Sequence, residues 1–264
     1  MKASNYLACT LVAVAALAPA LQATVIFNDT FDSGTGTYYV DDTSGVTFDT
    51  SPPITNASGA ITWNGNSNVI VGRSFADQTL SVGQTIRVTA DFTTPDTAGF
   101  IRFGLWNFGA NTITADNWGN TLTGSAEGYY MFFQDNGATS DERYQSATLP
   151  TEIMGAETED IGDPTGSHNF ASGTTYSLLY EITLTAAGQV DTFASVSDGT
   201  TVLVSSTGQT TTNIIGTFDT FAFRNQSGSF SLDNVKLEII PEPSSALLVG
   251  TLGGLCLLRR HRRR

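Results

Sequence analysis

Between Thr24 and Ile240 no stretch of the chain holds apolar residues at the i, i+3, i+4, i+7 spacing of a helix for three turns. Short runs rich in Val, Ile, Thr, Phe and Tyr recur there instead, separated by clusters of Gly, Asn, Asp and Ser. A chain patterned in this way buries its apolar side chains by laying sheet against sheet. The spacing predicts strands over 24–31, 60–63, 68–75, 84–93, 99–108, 128–134, 175–185, 190–197, 201–205, 218–224 and 229–239. In 84–92, Ile86, Val88, Ala90 and Phe92 alternate with Thr85, Arg87, Thr89 and Asp91, so one face enters a core and the other meets water. The runs 100–106, 129–133 and 178–180 break that alternation, as expected of central strands covered on both faces.

Asp198-Gly199 lies between two of these runs and supplies the positive-φ positions of a tight hairpin turn. The section 136–172 is acidic and poor in large apolar residues, and it reads as a long surface insertion. A second long loop, 111–127, contains Trp118. No fixed repeat runs through the chain, which disfavours a propeller or solenoid. The expected fold is therefore all-β, a two-sheet antiparallel sandwich of jelly-roll type.

The two ends read differently. Lys2 precedes an apolar segment, 7–17, then small residues and a candidate cleavage site, Leu21-Gln22-Ala23, the pattern of a secretory signal peptide. Ala18-Pro19-Ala20 is a poorer site, because proline beside the scissile bond hinders cleavage. At the other end Pro241-Glu242-Pro243 is followed by an apolar run, 246–258, and then by Arg259, Arg260, Arg262, Arg263 and Arg264 around His261. As a helix that run rises only about 20 Å against roughly 30 Å of hydrocarbon, so it suits a transient anchor of the inner membrane. The arginines would hold the C-terminus on the cytoplasmic side and leave everything before it outside. The organisation expected is signal peptide 1–23, β-sandwich 24–240 and sorting or anchor segment 241–264.

The order of parts over 241–264 resembles the PEP-CTERM sorting signal of exported proteins in biofilm- and exopolysaccharide-forming bacteria. That resemblance implies recognition by the membrane protease exosortase, cleavage near Pro241-Glu242-Pro243, and a destination at the cell surface or in the extracellular matrix. A second resemblance joins the run 25–32 to the run 230–237, which carries Phe230-Ser231-Leu232-Asp233-Asn234-Val235. This pair looks like the first and last strands of concanavalin A-like lectin and glucanase sandwiches and of related carbohydrate-binding modules, where such a strand finishes the fold beside the opening one. It implies that architecture and points toward glycans.

Charge and cysteine content narrow the partners. The chain has 12 Lys and Arg against 25 Asp and Glu, but Lys2 and the five terminal arginines lie in the end segments, as does Glu242. The segment 24–240 therefore carries a formal net charge of −18. Such a balance repels polyanions, which excludes nucleic acid as a partner and favours divalent cations or neutral polymers. Cys9 and Cys256 both lie in the end segments, so thiolate zinc sites, cysteine nucleophiles and disulfides are absent from 24–240.

No recognisable catalytic motif emerges. His168 is the one histidine of 24–240, in a loop sequence without a Gly-x-Ser-x-Gly elbow or a metal-ligand spacing, and reads as a solvated imidazole. A Glu-x-Asp-x-x-Glu strand, which would place two carboxylates about 5 Å apart for glycoside hydrolysis, does not occur. Asp41-Asp42, Asp141-Glu142 and Glu159-Asp160 are adjacent pairs expected in loops. Asn28, Asp29, Asp32, Asp233 and Asn234 offer hard oxygens near two neighbouring strands and are the candidate ligands for a structural calcium ion, although Asp and Asn also close turns on their own backbone. Trp118, flanked by polar residues, is the candidate glycan contact, whereas Trp106 reads as core. The function expected is that of an exported, noncatalytic surface or matrix protein that interacts with extracellular polysaccharide; the alternatives are a glycan-active hydrolase or lyase on a concanavalin A-like fold and a purely structural secreted protein. Signal peptidase and exosortase would be its processing enzymes.

Overall fold

Fifteen strands build the computed structural model, which describes residues 22–32, 38–42, 55–57, 59–65, 69–93, 100–116, 118, 122–134, 141–149, 153–155, 158–165, 169–225 and 228–242. They are β1 (Thr24–Asp29), β2 (Tyr39–Asp42), β3 (Thr55–Ala57), β4 (Ala60–Gly65) and β5 (Val69–Thr79). Then follow β6 (Thr85–Thr93), β7 (Phe100–Asn107), β8 (Gly124–Gln134), β9 (Asp141–Leu149) and β10 (Glu159–Thr165). The chain ends its sheet with β11 (Thr175–Ala186), β12 (Gln189–Ser197), β13 (Val202–Thr210), β14 (Thr217–Asn225) and β15 (Gly228–Ile240). Hydrogen bonding runs unbroken in the order β2-β5-β14-β7-β8-β9-β10-β13-β12-β11-β6-β15-β4-β3, with β1 also on β15. Every pairing is antiparallel.

One ribbon of sheet thus folds over to make both layers of the sandwich. The front layer is β2-β5-β14-β7-β8-β9 and the back layer is centred on β13-β12-β11-β6-β15. Near the fold-over, β9–β10 register shifts between Asp160 and Gly162. A Cβ on Gly162 would sit 2.4 Å from the Thr207 carbonyl oxygen, so glycine is required for β10 to reach β13. Aromatic rings fill the gap between layers: Phe103 of β7 meets Tyr180 of β11 edge-on at 5.5 Å, and Phe92 of β6 stacks on Phe230 of β15 at 5.7 Å. The opening and closing strands pair as the resemblance implies, with Asn28 opposite Lys236.

The irregular strands 100–106 and 129–133 are covered twice. Ile101, Phe103, Leu105, Tyr129, Met131 and Phe133 enter the interior, whereas Trp106, Tyr130 and Phe132 belong to a second apolar cluster on the outer face of the front layer. The stretch 178–180 differs from its expectation: β11 keeps a regular alternation of buried and half-buried residues. The section 136–172 is also corrected, because it contains β9 and β10. Its acidic residues are compatible with strands since they fall on alternate faces, with Asp141 outside beside Arg143 and Glu142 inside. β2 and β3 had no predicted counterpart, being short strands of three or four residues. The Asp198-Gly199 turn spans four residues, closed by the Asp198 carboxylate accepting from the Thr200 and Thr201 amides.

Glu142 is fully buried between the layers, near the hydroxyls of Thr192 and Ser206. A Cβ on Gly208 would come within 2.5 Å of Thr192 Oγ1 and 3.2 Å of Glu142 Oε2. Burial pushes the Glu142 carboxyl up to about 7 although the Thr192 and Ser206 hydroxyls and the Ala194 amide favour its charge. The folded protein therefore keeps a proton that the unfolded chain releases near its ordinary value of 4.5. Stability supplied by the neutral form is complete below that value and is lost as pH rises toward 7, at about 1.4 kcal/mol per pH unit. Urea unfolding between pH 5 and 7 should show the wild type losing roughly 2–3 kcal/mol more than Glu142→Gln. Parallel profiles for the two proteins would contradict this assignment.

Candidate functional site

The pleat of the front layer turns every second residue outward. Three cross-strand rows result. The first runs Asp41–Ile70–Arg224–Arg102–Phe132–Asp141 and the second Tyr39–Gly72–Ala222–Gly104–Tyr130–Arg143. The third runs Ser74–Thr220–Trp106–Gly128–Gln145. The middle row is a floor of minimal side chains under bulky neighbours. On Gly72 a Cβ would lie 2.7 Å from Ile113 Cδ1 and 3.2 Å from Trp118 Cζ2; on Gly128, in the third row, it would lie 2.3 Å from Trp106 Cδ2. The connection from β7 to β8 docks on this floor, and Phe108 packs against Trp118 at 5.8 Å while Trp106 stacks on Tyr130 at 6.0 Å. Asp219 holds the start of that connection by accepting from the Phe108 amide at 2.9 Å with both oxygens. Burial pushes this carboxyl up to about 6.

Beyond the docked connection, the first two rows keep a partly accessible ledge around Phe132, whose own ring is buried. The guanidinium groups of Arg102 and Arg143 lie 4.7 and 4.5 Å from the Phe132 ring centroid, one from β7 and one from β9. Arg143 is paired with Asp141 at 2.5 Å, both side chains about one-sixth exposed (17% and 16%). A short turn, Ile153–Met154, closes over the arginines. Its Met154 amide donates to Gln145 Oε1 at 2.6 Å, and its Met154 carbonyl accepts from Arg102 and, at 2.9 Å, from Arg224. Met154 adopts φ +58°, in the left-handed region. Flat cationic groups beside an aromatic ring and a carboxylate suit hydroxylated or anionic ring compounds, since guanidinium donates in a fixed plane and carboxylate accepts.

Trp118 is corrected. It is not at a loop tip: it is 2% exposed and packed on Gly72, so in this state no ligand reaches its face. Trp106 is core, as expected. Of the calcium candidates, Asp29 is committed to an ion pair with Arg73, whose guanidinium rests 3.9 Å over Phe27, and Asn28 is exposed on β1 opposite Lys236. Asp32 accepts from the Thr30 hydroxyl at 2.7 Å. Asp233 accepts from the Asn234 amide at 2.6 Å, and Asn234, at φ +50° in the β15 bulge, donates to Asp91 at 2.9 Å. Burial, with the charges of Asp91 and Asp32 adding to it, raises the Asp233 carboxyl. The structure thus gathers Asp32, Asp233 and Asn234 beside the unforeseen Asp91 and leaves Asn28 and Asp29 apart. Among the described residues no three of His, Cys, Asp and Glu are placed to hold a metal ion.

The three acidic pairs expected in loops lie on β2, β9 and β10 instead; in Asp141-Glu142 and Glu159-Asp160 successive side chains point to opposite faces and cannot converge. Pro241 and Glu242 follow directly on β15. Pro243, the run 246–258, Arg259, Arg260, Arg262, Arg263, Arg264 and His168 lie outside the described residues, as do residues 1–21 of the signal segment 1–23. Arg102, Arg143 and Arg224 escaped the sequence reading. Their signal was present: they are half of the six basic residues in 24–240, and Arg102 and Arg224 each interrupt a strand rich in aromatics.

No protein-family model matches the chain, and no curated protein matches it in sequence. Among solved structures it is similar to a Bacillus subtilis protein of unknown function with a galectin-like fold, at 10% identity and a TM-score of 0.51, covering 84% of this chain and 100% of that one. An endo-1,3-β-glucanase from Streptomyces sioyaensis is similar at 14% identity and 0.47, covering 85% and 99%. Lectin II from Ulex europaeus is similar at 9% identity and 0.46, covering 81% and 97%. The neighbours thus include both a lectin and a glycan-active enzyme, and at these identities the likeness is one of fold.

Trp118 as a buried brace predicts that Trp118→Ala lowers unfolding free energy by about 3–5 kcal/mol. A variant as stable as the wild type in urea would restore Trp118 to the surface.

Proposed function

We propose that the chain is an exported, noncatalytic surface or matrix protein that binds polysaccharide on the ledge of Arg102, Phe132, Arg143 and Asp141. In this reading, signal peptidase removes 1–23 and an exosortase acts on the Pro241-Glu242-Pro243 tail, after transient anchoring in the inner membrane through 246–258. The single observation that carries the glycan assignment is the ledge itself: the planar donors of Arg102 and Arg143 and the Asp141 carboxylate gathered over two neighbouring rows around the buried Phe132 ring, on an otherwise apolar face. Support for a noncatalytic role comes from where the proton-retaining carboxyls lie. A glycosidase acid needs a raised carboxyl beside a second carboxylate. Glu142 points into the interior, Asp219 is spent on the Phe108 amide, and Asp233, although raised beside Asp91 and Asp32, accepts from the Asn234 amide in the β15 bulge of the back layer, away from the ledge. On the ledge, Asp141 is held by Arg143, and Asp41 is separated from it by four intervening strands, about 24 Å at the usual strand spacing.

Calcium enters the proposal only at Asp32, Asp91 and Asp233, whose side chains would have to draw together around it; calorimetry with CaCl₂ should show heat and a raised Tm, and neither would appear if the carboxylates merely close turns.

A glycan array and a reducing-sugar assay on the exported chain test the main reading. Binding without turnover is expected, weakened about tenfold by Arg143→Ala, the scale of one lost charge-assisted hydrogen bond. Absence of binding would overturn the assignment, and release of reducing ends would make the chain an enzyme.

A further inference from the structure

We infer that the fold-over between the two layers is a proton-operated seam: with the Glu142 carboxyl neutral, β10 closes onto β9 and β13, and with it charged, β10 lifts away and lets water reach the interior. The inference stands on the geometry of the sandwich and draws on the polysaccharide reading only for its effect at the ledge.

One cross-strand row crosses the fold-over, Met131–Glu142–Gly162–Gly208–Thr192–Ile182. Two glycines stand at its middle, and the Glu142 side chain reaches over them, so that a Cβ on Gly208 would meet Thr192 Oγ1 and Glu142 Oε2 together. The Thr192 and Ser206 hydroxyls lie near enough to favour a charge, yet neither makes a well-aligned hydrogen bond to the carboxyl. Of the other elements packed there, β8 brings the uncharged Met131 and β11 brings Tyr180, a fully buried phenol that burial keeps neutral. Glu159 of β10 lies opposite Tyr144 and accepts from Thr212 and Asn213. The six lysines and arginines of 24–240 are all placed elsewhere: Arg102, Arg143 and Arg224 on the outer face, Arg73 beside Asp29, and Arg87 and Lys236 with Glu181 and Glu238. A charge at Glu142 therefore meets no lysine or arginine, and either a proton or water must relieve it.

The seam is also weakly joined. β9 and β10 are in register only at Glu159, Asp160 and Gly162, with Ile161 left out. β10 meets β13 only over 162–165, where Pro164 has no amide proton to give. By contrast β11 keeps unbroken register with β6 from Thr175 to Thr183. Opening at β10 thus breaks few ladder bonds and wets a carboxyl that gains from it. Asp160 is the cross-strand neighbour of Arg143, so the same movement removes one border of the ledge. In the closed sandwich the carboxyl keeps its proton up to about 7, and in the open seam only to its ordinary 4.5. Opening is therefore favoured as pH rises through that interval and levels off above it.

Amide hydrogen exchange of the exported chain at pH 5 and 7, corrected for the pH dependence of free-peptide exchange, reads this opening. Protection at 162, 163 and 165 should fall about fortyfold between the two, with little dependence on low urea, because a local opening exposes little surface. Protection over 178–182 of β11 should be higher at both pH values and fall steeply with urea, as global unfolding does. Glu142→Gln should flatten the pH profile at the seam. An unchanged profile in the wild type, or seam amides with the protection and urea slope of β11, would overturn the inference. An oligosaccharide that binds the ledge should raise seam protection about tenfold at ten times its Kd. Binding without that gain would overturn the link between seam and ledge. Failure of every glycan to bind would remove the polysaccharide reading alone, since the seam is judged by its own pH profile.

Discussion

The front layer carries apolar side chains on both of its faces, and the site follows from that double burial. A one-sided sheet would present polar side chains to water along every strand. Here the outer face must itself be covered, and the connection from β7 to β8 supplies Phe108, Ile113, Trp118 and Leu122 to do so. Close approach is possible only because Gly72, Ala222 and Gly104 form a row with almost no side chains. The cover is incomplete toward β9. There the arginines, Phe132 and Asp141 appear, closed by two residues of turn.

Electrostatics and packing are tied together at this edge. Elsewhere the basic residues of the segment are neutralised locally: Arg73 pairs with Asp29, while Arg87 and Lys236 lie with Glu181 and Glu238 on the back layer. Arg102, Arg143 and Arg224 gather on the outer face of the front layer, where Arg143 pairs with Asp141 and the other two donate to the Met154 carbonyl. On the opposite face of the same strand Glu142 is buried against the back layer, near Thr192 of β12 and Ser206 of β13. β9 is paired with β8 and β10 while presenting Arg143 and Gln145 on the outer face.

Much of this fold is legible in the chain. Strict alternation over 84–92 marks β6 as a strand with one core face, and the broken alternation over 100–106 and 129–133 marks β7 and β8 as doubly covered. Strands β9 and β10 are not legible by hydrophobicity, because Asp141, Glu142, Arg143 and Gln145 take their partners from distant parts of the chain. Trp118 shows the same limit from the other side: its polar neighbours suggest exposure, yet Gly72, 46 positions earlier, makes the room that buries it. The ledge is legible only in hindsight, since a row across six strands requires the register and no local pattern encodes it.

That polysaccharide is met on the outer face of the front layer can be tested with nitrogen-15 NMR of the arginine side chains during titration with an oligosaccharide that binds. The Nε–Hε signals of Arg102, Arg143 and Arg224 should shift, and those of Arg73 and Arg87 should stay in place. Shifts confined to Arg87, on the back layer, would put the binding face on the wrong side of the sandwich and contradict the account.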